Sequence, residues 1–266
     1  MQNLHEIKKG KVLGSGMFGT TYIVKINKRK YALKIQKILE KEKENNMKSK
    51  IRRELKFFKF VDSLGKKDQA FFMKLHGYEF YKCDHKQDRP FKVLKSQMKH
   101  FKPYDDSLWC MYSLLDLKGE SLSNYLDRTN ITTTQLYSFI LQICHIGNMM
   151  RENGYLHNDF HSGNITVQKT NNPIEVKYKN KNYKLPGNLQ ISAIDYGEAK
   201  HKTYNKSKDF NEHPYIAYYK DIYIIWLIII KVDKYVQDCK RKKKKLPWEK
   251  NNSKYFMEDV LRMFLK

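Results

Sequence analysis

Leu156-His157-Asn158-Asp159-Phe160-His161-Ser162-Gly163-Asn164-Ile165 is the stretch on which the reading of this chain turns. It follows a helical pattern and runs into the strand-like Ile165-Thr166-Val167. A carboxylate five positions ahead of a carboxamide suits a loop that transfers phosphoryl groups. Asp159 would orient an attacking hydroxyl and accept its proton, and Asn164 would bind a metal ion. The plainer alternative is a polar turn with a histidine tucked into the core.

Downstream, Ile191-Ser192-Ala193-Ile194-Asp195-Tyr196-Gly197 reads as a strand ending in Asp-aromatic-Gly. Hard Mg²⁺ prefers carboxylate and phosphate oxygens, so Asp195 would bridge metal and triphosphate. Upstream lie two weaker signals. Gly14-Ser15-Gly16-Met17-Phe18-Gly19 has the G-x-G-x-x-G spacing, which serves phosphate loops, dinucleotide folds and ordinary turns alike. Its place between two strand-like segments, rather than before a helix, speaks against the dinucleotide reading. Glycines let a backbone approach phosphates and offer amide donors. Next comes Tyr31-Ala32-Leu33-Lys34, a strand ending in a lysine that needs anionic partners if buried. Glu54 lies on a helical face with Ile51, Leu55 and Phe58 and could be one; two unrelated surface charges are the bland alternative. Four such signals in this order are hard to ascribe to accident.

The rest of the pattern frames them. Residues from about Lys11 to Lys37 alternate as hairpin strands do, and a helical stretch runs from about Leu39 to Val61. Trp109 to Leu115 reads as a buried strand, and Leu136, Phe139, Ile140 and Ile143 form the stripe of a helix ending near Gly154. The expectation is an α+β, bilobal, single domain over 1–266. A small antiparallel sheet with one main helix would occupy about 1–117, and a mostly helical lobe about 118–266. A boundary near Asp116 to Gly119 would create a cleft. Residues 171–188 look like an inserted hairpin or loop.

The 52 basic and 28 acidic residues give a net charge of +24, a field that attracts nucleotides, nucleic acid and acidic proteins. Abundant Lys, Asn, Ile and Tyr would also follow from an AT-rich genome. The basic run Lys240 to Lys245 reads first as solvated surface, and second as a localisation signal or nucleic-acid contact. Cys83, Cys110, Cys144 and Cys239 show no C-x-x-C spacing, which predicts neither a disulfide scaffold nor a zinc site and suits a reducing compartment. The first residues, MQNLHEIKKGKV, do not read as a signal peptide, and the apolar run Ile222 to Val232 is too short to span a bilayer. A soluble, intracellular monomer, nuclear or cytoplasmic, is the expectation.

These motifs together resemble the eukaryotic-like protein kinase superfamily over nearly the whole chain. The glycine loop with Phe18 and Tyr22, and Leu115-Asp116-Leu117-Lys118-Gly119-Glu120-Ser121-Leu122, are similar to the glycine loop and hinge of casein kinase I and vaccinia-related kinases. Asp159-Phe160-His161-Ser162-Gly163-Asn164 and Asp221-Ile222-Tyr223 look more like haspin. The resemblance implies ATP bound by Gly14 to Gly19, Ala32 and Lys34. It makes Leu115 a gatekeeper, with Asp116 and Leu117 holding adenine through backbone groups. It also implies Asp159, Lys34, Glu54 and His161 as catalytic residues, Asn164 and Asp195 as ligands of Mg²⁺ (or Mn²⁺), and Asp221 as a brace. Serine or threonine hydroxyls of a protein, acidic or associated with nucleic acid, would be the acceptors.

Departures from the family pattern qualify this. Asn158 stands where an arginine usually receives an activation-loop phosphate, and no Ala-Pro-Glu lies between Asp195 and Asp221, so constitutive activity is expected. His161 replaces the usual lysine near the γ-phosphate, which predicts a slow or histidine-linked enzyme. The picture is of a divergent, minimal kinase of a kind a virus could carry. The competing readings are a small-molecule kinase of the aminoglycoside or choline type and a nucleotide-binding pseudokinase.

Overall fold

The computed structural model describes residues 3–15, 19–38, 50–83, 109–178 and 181–201. Gly16 to Phe18, Asp221, the run from Ile222 to Val232, Cys239 and the basic run at Lys240 to Lys245 lie outside them. The chain divides into two compact units, Met1–Asp62 with Met73–Lys118, and Ser63–Phe72 with Gly119–Lys266.

The first unit is built on one antiparallel sheet of β1 (Val12–Ser15), β2 (Gly19–Ile26), β3 (Arg29–Ile38), β4 (Leu75–Lys82) and β5 (Trp109–Asp116), in the order β1-β2-β3-β5-β4. Alternation along the strands divides the apolar residues between two faces. On one face Tyr22, Val24, Leu33, Ile35, Tyr112 and Leu114 pack beneath Leu4 and Ile7 of an N-terminal 3-10 turn. His5 anchors that turn: its ring stacks on Tyr81 at 3.7 Å and its Nδ1 lies 2.8 Å from Glu79. On the other face Ile38 and Met111 pack against Ile51 and Leu55 of α1 (Lys50–Ser63). The stripe Ile51, Leu55, Phe58 is buried, as its spacing predicts.

One expectation fails here. Cys83 and Cys110 form a disulfide. They are 27 residues apart in sequence, but the pairing of β4 with β5 sets Tyr81 opposite Cys110 and brings Cys83 alongside it. No spacing rule reports a proximity that strand register creates. Cys144 stays a buried thiol whose pKa burial pushes up to about 12, which makes it inert as a nucleophile near neutrality.

The second unit centres on a long helix. It comprises α2 (Lys66–Gln69), β6 (Glu120–Ser121), α3 (Leu122–Arg128), α4 (Thr133–Glu152), β7 (Tyr155–Leu156), β8 (Ile165–Lys169), β9 (Glu175–Tyr178), β10 (Lys181–Lys184), β11 (Leu189–Ala193) and β12 (Lys200–His201). A capping box starts α4: Thr132 Oγ1 accepts from the Gln135 N–H, and Gln135 Oε1 accepts from the Thr132 N–H. Gly154, at φ 74°, follows its end. Leu136, Phe139, Ile140 and Ile143 are buried, and so is Gln142, whose side chain donates to the Leu189 carbonyl and accepts from the Ile191 N–H. Helix α4 thereby carries β11, the strand that leads to Asp195.

Strand β11 pairs with β8, and β8 with β6. Gly119, just before β6, packs so tightly on β8 that a Cβ there would sit under 3.0 Å from the Val167 carbonyl oxygen. Within the 171–188 segment, β9 and β10 form an antiparallel hairpin. It is pinned by Lys67 Nζ to Glu175 at 2.7 Å and by the Lys177 N–H, which donates to His145 Nδ1. Among the described residues no helix is long and apolar enough to cross a membrane.

Candidate active site

Each unit holds one constellation. In the first, the period of two along β3 puts Lys34 and Ala32 on the face covered by α1, because Leu33 and Ile35 fill the opposite core. Helix α1 presents Glu54 to it, and Lys34 Nζ meets Glu54 Oε1 at 3.0 Å. Glu54 is 1% exposed, and its second oxygen, Oε2, is buried without a hydrogen-bond partner. A buried carboxylate with only one oxygen satisfied holds an ammonium in place at some cost to the fold.

The glycine motif is described at its ends. Gly19 opens β2 so close to β3 that a Cβ would fall under 3.0 Å from the Ile35 carbonyl oxygen. Gly14 has open space around it. Backbone packing therefore accounts for Gly19, and it leaves Gly14 free for another purpose. Ser15 Oγ and Thr20 Oγ1, 3.1 Å apart, tie the two strands beside the loop.

At the far end of the same sheet, Ala32 pairs with Leu115, and both are buried. The Asp116 N–H donates to the Lys74 carbonyl at 3.0 Å, so what the Asp116 backbone has to offer a ligand is its carbonyl. The Asp116 side chain is engaged as well. Strand β4 slips register between Leu75 and Gly77, and the bulged residue, His76, reaches Asp116 Oδ1 with Nε2 at 2.7 Å. Lys118 Nζ lies 3.7 Å from the other oxygen. Burial alone would raise the Asp116 pKa. The His76 hydrogen bond, with Lys118 and Arg29, overrides this and holds the carboxyl below its ordinary range. Burial in turn lowers the Lys118 ammonium against the pull of Asp116.

The second constellation is the 157–164 loop and the residues after β11. Asn164 Nδ2 donates to the Asp159 carbonyl at 2.9 Å and to Asp159 Oδ2 at 3.0 Å. His161 folds back so that its Nδ1 accepts from the Gly163 N–H, which leaves Nε2 carrying the proton of the neutral ring. That Nε2 lies 3.8 Å from Asp159 Oδ1.

Two bonds stitch this loop to the strand that ends at Asp195. The Ile194 N–H donates to the Asn164 carbonyl at 2.9 Å, and His157 Nε2 donates to the Ile194 carbonyl at 2.9 Å. His157 is 1% exposed, wedged against Phe160 and Tyr196, and its Nδ1 has no partner. Burial holds its pKa below the usual value, although the Ile194 carbonyl, Asp195 and Asp159 all pull it up. Asn158 and Asp195 both adopt positive φ, 63° and 60°, a conformation that costs about 1–2 kcal/mol in a non-glycine residue and collects at functional sites.

Sequence reasoning weighed a core histidine against a reactive loop. The structure makes His157 a core histidine that also joins Asp159, Asn164 and Asp195 into one neighbourhood. It also missed the His76–Asp116 pair. Residue 76 is forty positions from its partner, and only the bulge in β4 directs the ring toward it.

The donor set suits a hard cation. Asn164 spends its amide nitrogen on Asp159, so the atom it has left to offer a cation is Oδ1, and its backbone carbonyl is tied to Ile194, the residue before Asp195. Among the described residues no group of three or more His, Cys, Asp or Glu could hold a metal by protein ligands alone.

No protein-family model matches the chain, and no curated protein matches it. Among solved structures it is similar to the crystal structure of the PF14_0431 kinase domain, at 18% identity and a TM-score of 0.49. The likeness covers 77% of this chain and 54% of that one, so the chain spans about half of its length.

Proposed function

We propose that the chain transfers the γ-phosphoryl group of ATP to serine or threonine hydroxyls of proteins. The observation that carries this reading is the stitched loop, where Asn164 holds Asp159 and the Ile194 backbone ties both to the Asp195 segment. A carboxylate held by a carboxamide, with the backbone of that carboxamide tied to the segment that carries a second carboxylate, suits positioning a hydroxyl against a metal-bound phosphate.

In this reading the Asp159 carboxylate, half exposed, orients the acceptor hydroxyl and takes its proton. Asp195 and Asn164 Oδ1 would hold Mg²⁺, which when bound neutralises phosphate charge. Lys34, kept in place by Glu54, would take phosphate oxygens, as would backbone amides of the Gly14 to Gly19 loop. Ala32 and Leu115 would flank the adenine, with the Asp116 carbonyl and Leu117 bonding its edge. His161 places an imidazole near Asp159 where the usual lysine would place a permanent positive charge, which favours a modest rate.

The test is radiolabel transfer from γ-labelled ATP with Mg²⁺ to acidic and basic proteins, followed by phosphoamino-acid analysis, for the wild type and Asp195→Asn. Label on Ser or Thr in the wild type alone supports the proposal. Label on amino alcohols and on no protein replaces it with a small-molecule kinase. ATP binding that ignores Mg²⁺, with no transfer, replaces it with a pseudokinase.

A further inference from the structure

From Ile7 to Ile38 the chain carries nine basic residues and no acidic one. Strand pairing concentrates this charge at one place. Lys25 of β2 stands directly opposite Lys30 of β3, and Ile26 opposite Arg29, joined by the two-residue turn Asn27-Lys28. Lys25, Lys28, Arg29 and Lys30 are all exposed. Among the described residues none of the four has a carboxylate within ion-pair distance. Backbone bonds from Gly10 to Ile23 and from Ile23 to Lys11 lay the segment carrying exposed Lys8 and Lys11 along the same hairpin.

This arrangement works against the hairpin itself. Like charges directly opposite across a strand pair repel. The turn is left-handed at both central residues, φ 46° at Asn27 and φ 68° at Lys28, where the second position suits glycine and has lysine instead. An anion laid across the tip would relieve this repulsion.

We propose that the β2–β3 hairpin tip, with Lys8 and Lys11 beside it, is a docking surface for the phosphate backbone of nucleic acid. Protein interfaces are depleted in lysine and anchored by exposed aromatic residues. This tip has lysine in abundance, and its one aromatic neighbour, Tyr31, is half-buried and covered by the Arg29 guanidinium and by His76. Interfaces with nucleic acid have the opposite character, polar and strongly positive. Within the tip segment 25–30, Asn27 is the one amide and there is no carboxylate, and nearby Asp116 is engaged by His76, so binding is to phosphates and indifferent to sequence. The surface lies outside the residues assigned to phosphoryl transfer, and the inference stands without that assignment.

The experiment is fluorescence anisotropy of a labelled oligothymidylate titrated with the full chain over a range of salt, with no ATP present. The variant is Lys25→Gln, Lys28→Gln, Arg29→Gln, Lys30→Gln. Each lost phosphate contact should lower the salt slope by about 0.7, so the slope falls by about 2–3 and affinity drops at least about tenfold. The thermal midpoint should stay level or rise. A charge-keeping Lys25→Arg, Lys30→Arg variant should bind like the wild type, and binding lost there would overturn the electrostatic basis. An unchanged slope in the glutamine variant, with loss only on neutralising residues 240–245, would overturn the assignment. So would wild-type binding to phosphatidylserine vesicles or polyglutamate but not to the oligonucleotide.

Discussion

Glu54 and His157 are buried ionisable side chains on which, at the scale of single residues, the two constellations depend. Glu54 faces Lys34 with its second oxygen unpartnered. Glu54→Ala removes the buried carboxylate that holds the Lys34 ammonium and should cost about 3 kcal/mol in urea unfolding. For His157, burial sets the sign of a pH dependence. The unfolded chain takes up this proton near pH 6.5, while the folded ring takes it only at lower pH. Protons then favour unfolding. The stability tied to this group is complete above about pH 6.5 and declines as pH falls below it, by at most about 1.4 kcal/mol per unit. Urea midpoints followed from about pH 8 to about pH 5 should show this limb, and His157→Gln should flatten it. Asp116, with its lowered pKa, contributes in a different window, losing its share only as pH falls through the carboxylate range.

Elements were easier to read from the sequence than their junctions. The stripes of α1 and α4, the alternation of β2 and the continuous apolar run of β5 follow from patterns that depend on local neighbours alone. The stitch from His157 to Ile194 and the Gln142 bonds that carry β11 depend on tertiary packing, and the Cys83–Cys110 disulfide on strand register; these join residues 27 to 49 apart in sequence. Lys34 and Glu54 could be paired on paper because a strand and a helix face each have a readable inside. His76 could not be matched to Asp116, since a bulge re-aims a side chain without a distinctive local pattern. Gly119 is another such junction. Gly119→Ala drives a methyl into the Val167 carbonyl where β6 meets β8, and it should destabilise the second unit by about 3 kcal/mol in thermal or urea unfolding.

At the scale of the whole molecule, two compact units share one chain, and each supplies part of the proposed chemistry. The disulfide belongs wholly to the first. Reducing it releases a loop between residues 27 apart and should lower the stability of that unit by about 3–4 kcal/mol, seen as a shift of its denaturant midpoint on adding a thiol reductant. The net charge of +24 draws nucleotides and acidic partners alike, so it steers encounter and leaves the choice of acceptor to local contacts. Within the second unit, the proposal gives Asp159, held by Asn164, the acceptor hydroxyl. The most direct measurement is steady-state γ-phosphoryl transfer to protein by the wild type and by Asp159→Asn. The account predicts that KM for ATP is nearly unchanged and that kcat falls by about 100-fold or more. Wild-type kcat in the variant would contradict it.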